Sequence, residues 1–237
     1  MQIIKSQNNQ VAKTAILLFA FSNKAQSAIK PLSGFKKNNQ LLWQEIIDHK
    51  TKTIQKTKLP FFLSDEKNQI NGTFGQKLNH AIDHVFNQGF EKIIVVGNDC
   101  LSLTKNDLTK AEKLLQKNDF VLGKDNNGGA YLIGVSKNKF DGQDFENLAW
   151  QTNNLFQEIN SLFNIHQLDY LGVKNDFNNQ FDFNKAIKNL SFSSFLKKIL
   201  FALINKKNQL LVSENKLIEL LNVSFHFNKG PPLLDFI

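Results

Sequence analysis

A chain of 237 residues, 41% apolar and holding 22 phenylalanines, has enough apolar side chain for one α/β domain with an appendage, which excludes a disordered chain. Its net charge of +8 comes from scattered lysines with no arginine. Arginine is the usual bidentate reader of phosphate and guanine edges, so the pattern argues against sequence-specific nucleic-acid binding. The single cysteine, Cys100, excludes an internal disulfide framework and fits a reducing cytoplasm.

The polar start of the chain and the short apolar run that follows it do not make an export signal. No run approaches the ~20 apolar residues that a membrane helix needs. Residues 15–21 (AILLFAF) read as a strand buried on both faces. Ser22 and Asn23 come next and can cap a short helix. The loop after the first strand of an α/β sheet is a common ligand position, so Ser22, Lys24 and Lys30 are candidate phosphate contacts. Lys24 and Lys30 read equally well as ordinary solvated lysines.

Residues 39–50 carry apolar side chains at helical spacing, with Trp43 expected in the core. Residues 59–63 (LPFFL) predict a second strand that starts late because of Pro60. From Gln76 a further helix places Leu78, Ile82 and Val85 on one face. His80 and His84 stand one turn apart on it, a metal-compatible spacing, but the solvated-face reading is preferred. Residues 93–96 predict a strand, and Thr104 caps the next helix, with Leu108, Ala111, Leu114 and Leu115 inward. Strands follow over 119–123 and 130–135. Trp150 precedes another helix with Thr152 as its N-cap, and 165–171 predicts a last strand. Residues 186–205 predict one amphipathic, lysine-bearing helix, and 216–221 reads as helical. The expected organisation is a catalytic-type domain over 1–185 and a helical extension over 186–237. That extension is expected to pack on the domain or on a partner subunit, and so could support a homo-oligomer.

The centre of interest is residues 92–135. KIIVVGNDC delivers Asn98 and Asp99 to a strand end, and VLGKDNNGGAYLIGV places Asp125, Asn127, Gly128 and Gly129 in the next turns. A carboxylate at a strand end suits Mg²⁺ or Mn²⁺ through oxygen ligation. Such an ion can neutralise a nucleotide's diphosphate as a sugar or nucleotidyl group is transferred. Glycines let a substrate approach the backbone, and Trp150 can stack on a sugar or base. Asp99 can equally bond its own turn or cap the following helix.

The stretches 75–104, 121–135 and 148–156 resemble a bacterial family of glycosyltransferase-like proteins, the rSAM/selenodomain-associated transferases, also described as domain-of-unknown-function proteins. The family pattern GxDxPxLT is similar to residues 97–104, DGGYYLIG to 127–134, and WsT to 150–152. The resemblance implies a GT-A-type nucleotide-diphospho-sugar transferase fold, an α/β domain whose mostly parallel sheet is flanked by helices. It also implies a metal-type aspartate at Asp99. Three departures stand out. Leu101 replaces the family proline, Asn127 stands where the family has an acid, with Asp125 two residues upstream, and the glycine and Lys-Thr-Arg of the family's first loop are out of register here.

The expected function is transfer from a nucleotide-activated sugar with a divalent metal. In this scheme Asp99 and Asp125 are catalytic, Lys24 and Lys30 contact phosphate, Asn127, Gly128 and Gly129 line the acceptor side, and Trp150 walls the pocket. The alternatives are nucleotidyl transfer onto a small phosphate or acid, and a degenerate binding or interaction protein with an eroded first loop.

Overall fold

A computed structural model describes residues 3–4, 13–163 and 168–205. The helical and extended expectations over 216–237 lie outside the described residues. Seven strands form one sheet in the order β1-β3-β2-β4-β6-β5-β7. They are β1 (Ile3–Ile4), β2 (Thr14–Phe19), β3 (Phe61–Ser64), β4 (Lys92–Val96), β5 (Phe120–Lys124), β6 (Ala130–Ser136) and β7 (Leu168–Tyr170). β2 pairs in parallel with β3 and β4, and β5 with β7, whereas β6 runs antiparallel to both of its neighbours and β1 antiparallel to β3. Five strands therefore point one way and two the other. β6 reverses because only the short turn after Lys124 separates it from β5, too little chain for a parallel crossover.

The strands read as near-continuous apolar runs because both faces of the sheet are covered. Alternate residues supply the two cores. Ala15, Leu17, Ile93, Val95, Leu122 and Val135 pack with α3 (Phe74–Asn87), α5 (Gly142–Glu146) and α6 (Leu155–Leu162). Ile16, Leu18, Ile94, Val96, Val121 and Leu132 pack with α4 (Lys105–Leu115) and with Ile54 of α2 (Lys36–Gln55). β2, β4, β5 and β6 divide their side chains between the two layers, following the period of two that a pleated backbone imposes.

Helix starts follow local chemistry. Ser22 accepts the Ala25 N–H and caps α1 (Asn23–Ile29). Thr73 with Gln76, and Thr104 with Asp107, close reciprocal capping boxes on α3 and α4. Thr152 does not cap α6, which starts from Asn154; its hydroxyl instead donates to Ala149 O at 2.7 Å and accepts the Asn154 N–H at 3.2 Å. The loop preceding α6 uses that hydroxyl to fold itself, so the helix begins later than the threonine suggests.

β3 does begin after Pro60. Trp43 is 0% exposed and packs on Phe177, which in turn meets Phe183. The predicted helix over 186–205 is two helices, α7 (Gln180–Asn189) and α8 (Phe195–Asn205). They are separated by the serine-rich segment 191–194, where Ser191 and Ser193 hydroxyls bond one another and serines favour local turns over helix. The chain is compact through Ile204. Among the described residues, no helix is long and apolar enough to cross a membrane.

One packing constraint reaches towards the carboxyl ends of the strands. Gly75 sits in the first turn of α3, where a Cβ would lie 2.1 Å from Glu146 O and 2.9 Å from the Trp150 ring. Gly75→Ala gains up to ~1 kcal/mol of helix propensity but forces α3 away from the Trp150 segment. We expect a net loss of about 2 kcal/mol in urea denaturation, with a changed tryptophan emission spectrum. An unchanged or raised stability would mean that this contact does not fix the Trp150 loop.

Candidate active-site cleft

All five co-directional strands end on one side of the sheet, and the loops that follow them enclose a cleft of about 580 Å³. Its lining comes from the segment after β2, the turn after β4, the β5–β6 turn, the Trp150 loop and the segment after β7. This is where α/β sheets collect functional groups, because strand ends and helix starts leave backbone and side chains free to face a ligand.

The turn after β4 places Asn98 and Asp99 in the cleft. Asn98 is 3% exposed and its Nδ2 has no hydrogen-bond partner. Lys30, which closes α1, donates from Nζ to Asp99 Oδ2 at 2.8 Å and to Phe177 O at 3.2 Å. Trp43 Nε1 donates to Lys30 O at 2.9 Å, which ties the lysine's backbone to the core. The other carboxylate oxygen, Asp99 Oδ1, is buried without a partner.

Asp125 follows β5 and lines the cleft, but its Oδ1 accepts the N–H groups of Asn127 and Gly129, both at 2.7 Å. It therefore shapes the turn that carries Asn127 and Gly129 into the lining. Gly128 does not line the cleft. Its φ of +87° and the 2.2 Å approach that a Cβ would make to Asn153 O show that it serves the contact between this turn and the Trp150 loop. Trp150 lines the cleft, with Nε1 donating to Phe145 O at 2.7 Å and its ring against Phe74 and Phe145. Its indole is held by the core, so one face of the cleft is a fixed aromatic wall.

Ser22 and Lys24 stand outside the lining. The Ser22 N–H and hydroxyl both donate to the Glu66 carboxylate, at 2.7 and 2.5 Å. Against the cost of burial, these hydrogen bonds hold the Glu66 carboxyl below its ordinary range. Lys24 is exposed on α1. The acidic loop after β3 thus engages the start of α1, where an incoming anion would otherwise find free donors. His80 and His84 remain on α3, and among the described residues no group of three or more His, Cys, Asp or Glu side chains is placed to hold a metal ion.

Two residues join the site that sequence reasoning did not select. Asp176, in the segment after β7, lines the cleft with Oδ1 buried and unpartnered. Burial, then the charges of Asp99 and Asp125, push its carboxyl up to about 7, with Lys50 opposing. Lys50 is 2% exposed on α2 and donates from Nζ to Cys100 O at 2.5 Å. Burial pulls its ammonium below the ordinary lysine value, while Cys100, Asp176 and Asp99 act to retain the charge. Asp176 had no local signal, because Lys174 and Asn175 precede it and Val173 is exposed; Lys50 had one, since it falls on the stripe of Trp43, Ile46 and Ile54, where a charge is out of place unless it has a partner. Burial also raises the Cys100 thiol to about 11, so it is no nucleophile at neutral pH.

The raised Asp176 carboxyl sets a pH dependence. Its folded value lies above the ordinary 3.8, so between those values the folded state holds more protons than the unfolded chain, and stability falls as pH rises. In EDTA, Asp176→Asn should melt roughly 2–4 °C above the unsubstituted protein at pH 8. The gap should close towards pH 4. A gap independent of pH would show that Asp176 ionises normally.

Comparisons with known proteins bear on the fold. Residues 51–152 match the family described as "Uncharacterized protein conserved in bacteria (DUF2064)". No curated protein matches the chain. A candidate nucleotide-diphospho-sugar transferase from Desulfovibrio desulfuricans G20 superimposes with a TM-score of 0.69 at 19% identity, over 82% of this chain and 97% of that one. Rv0371c from Mycobacterium tuberculosis H37Rv, in complex with manganese, superimposes at 0.44 with 9% identity, over 75% and 99%. A cytidylyltransferase from Leptospira borgpetersenii superimposes at 0.39 with 13% identity, over 84% and 100%. The last two likenesses are too distant to carry an argument. By the first of these likenesses, the chain has the nucleotide-diphospho-sugar transferase fold.

Proposed function

We propose that this chain is a transferase that uses a nucleotide-activated sugar, with a divalent cation at Asp99. The observation that carries the reading is the pair of bare carboxylate oxygens, Asp99 Oδ1 and Asp176 Oδ1, in a cleft at the strand ends. Buried acceptors without donors suit a hard cation, so the residues present fit Mg²⁺ or Mn²⁺, with Asp99 and Asp176 as the protein ligands. Bound there, the ion would supply charge neutralisation for a diphosphate leaving group.

The other roles follow from placement. Lys30 is the cation of the cleft nearest Asp99 and would meet phosphate, whereas Ser22 is engaged by Glu66 and Lys24 faces away from the lining. Asn127 and the Gly129 backbone would meet the acceptor, with Asp125 holding their turn and Asn98 Nδ2 offering a free donor. Trp150 would wall the sugar or base. The placement among rSAM/selenodomain-associated transferases belongs to this same proposal and rests on the patterns at 97–104, 127–134 and 150–152. Nucleotidyl transfer onto a small phosphate or acid would use the same groups.

One observation favours a second reading, a binding protein without turnover. The Glu66 carboxylate holds the donors at the start of α1, and Lys30 is already paired with Asp99. Both contacts leave fewer free cations and donors for phosphate.

A thermal-shift panel of nucleotide sugars and nucleoside triphosphates with Mn²⁺ separates these readings from a cleft that takes no nucleotide. The expected result is a rise of roughly 5–10 °C for one nucleotide class at a hundredfold excess over its Kd, lost in Asp99→Ala. No shift with any nucleotide would overturn the transferase readings. A shift without product when an acceptor mixture is added would leave the binding protein.

A further inference from the structure

Asp99 is a carboxylate with two unlike oxygens. Oδ2 is held by the Lys30 ammonium at 2.8 Å, and Oδ1 is buried with no partner. Asp176 adds a second bare oxygen beside it in the lining. The Lys30 side chain is 17% exposed and that of Asp99 31%, so the pair sits at the cleft surface rather than beneath it. The lysine's backbone is fixed by Trp43 through its carbonyl, but four rotatable bonds separate that anchor from Nζ. Its remaining contacts are the Phe177 carbonyl at 3.2 Å and the Phe177 ring at 5.5 Å. Partly exposed ion pairs of this kind are weak and readily exchanged.

A cation and an ammonium on one carboxylate repel each other, because two positive charges a few ångströms apart oppose each other strongly outside bulk water. Lysine is a compact point charge on a flexible stem and can serve a carboxylate or a phosphate equally well. We infer that Lys30 is the resident counter-ion of Asp99 in the metal-free protein. It occupies Asp99 until a divalent cation enters, and then carries its charge to the anionic group of the incoming ligand. The inference rests on the reading of Asp99 as a cation ligand. It adds that metal and ligand are coupled through this one lysine: metal alone binds weakly because it must displace Lys30, and the displaced ammonium improves the site for a diphosphate. The other account is a fixed strut, in which Lys30 only ties α1 to the turn after β4.

The two accounts differ in sign. Mn²⁺ binding to the metal-free protein is followed by the electron paramagnetic resonance of free Mn²⁺, and pyrophosphate is titrated calorimetrically into the Mn²⁺-saturated protein at fixed ionic strength. In Lys30→Met the competitor is gone, so Mn²⁺ should bind roughly tenfold tighter, and pyrophosphate roughly tenfold weaker. Lys30→Gln keeps a hydrogen-bond donor for Asp99 and Phe177 without the charge. It should shift both affinities in the same directions, even if Lys30→Met folds poorly. Weaker or unchanged Mn²⁺ binding in both variants, with binding still abolished by Asp99→Asn, would overturn the exchange and leave the metal reading standing. Mn²⁺ binding that survives Asp99→Asn would overturn the metal reading, and the exchange with it.

Discussion

Carboxylates brought together out of water raise one another's free energy unless cations stand beside them, and at the end of β4 those cations are Lys30 and Lys50. Lys50 gives up solvent almost completely to hold the Cys100 carbonyl. Its charge acts on Asp99 and Asp176 from within the α2 layer. Lys30 meets Asp99 at the cleft surface. The arrangement needs α1, α2, the β4 turn and the segment after β7 all in place.

The distribution of contacts around the cleft separates residues that build it from residues that face it. Asp125, Gly128 and Trp150 are committed to the scaffold: Asp125 to two backbone N–H groups of its own turn, Gly128 to close packing on the Asn153 carbonyl, and Trp150 to the Phe145 carbonyl of α5. Asn98, Asp99 and Asp176 each leave one polar atom buried and unpartnered. Buried polar groups are nearly always satisfied in a folded protein, and with Gln69 Oε1 four such atoms belong to the lining of one cleft, which supports the proposal that a ligand supplies what the chain does not. The first loop belongs to the builders here. Glu66 closes it with a carboxylate on the Ser22 donors, which is why the proposal gives phosphate contact to Lys30 alone.

Much of the scaffold was legible in order. Apolar runs marked β2, β4, β5 and β6, and Thr104 marked the start of α4, because strand burial and helix capping are decided within a few residues. Asp99 stood out for the same local reason, as an acid just past a buried run. Asp176 and Lys50 did not, since the first sits in a loop with other acids and asparagines and the second on a helix. Their meaning comes from partners far off in the chain. Thr152 and the helix over 186–205 misled because serine and threonine hydroxyls have several local backbone partners to choose from, and the loop before α6 and the break after α7 each chose another.

By itself the sequence determined most of the layers: the segments of β2 to β6, the apolar faces of α3 and α4, and that the acids at 99 and 125 would stand at strand ends. Those follow from periodicities of two and 3.6 residues and need no knowledge of neighbours. Tertiary structure alone decided that Lys30 lies on Asp99, that Glu66 closes on Ser22, and that Asp176 shares the cleft, in pairs 69, 44 and 77 residues apart along the chain. Charge and hydrogen-bond satisfaction act through space, so the same carboxylate is a turn former, a counter-ion or a ligand according to what the fold carries to it.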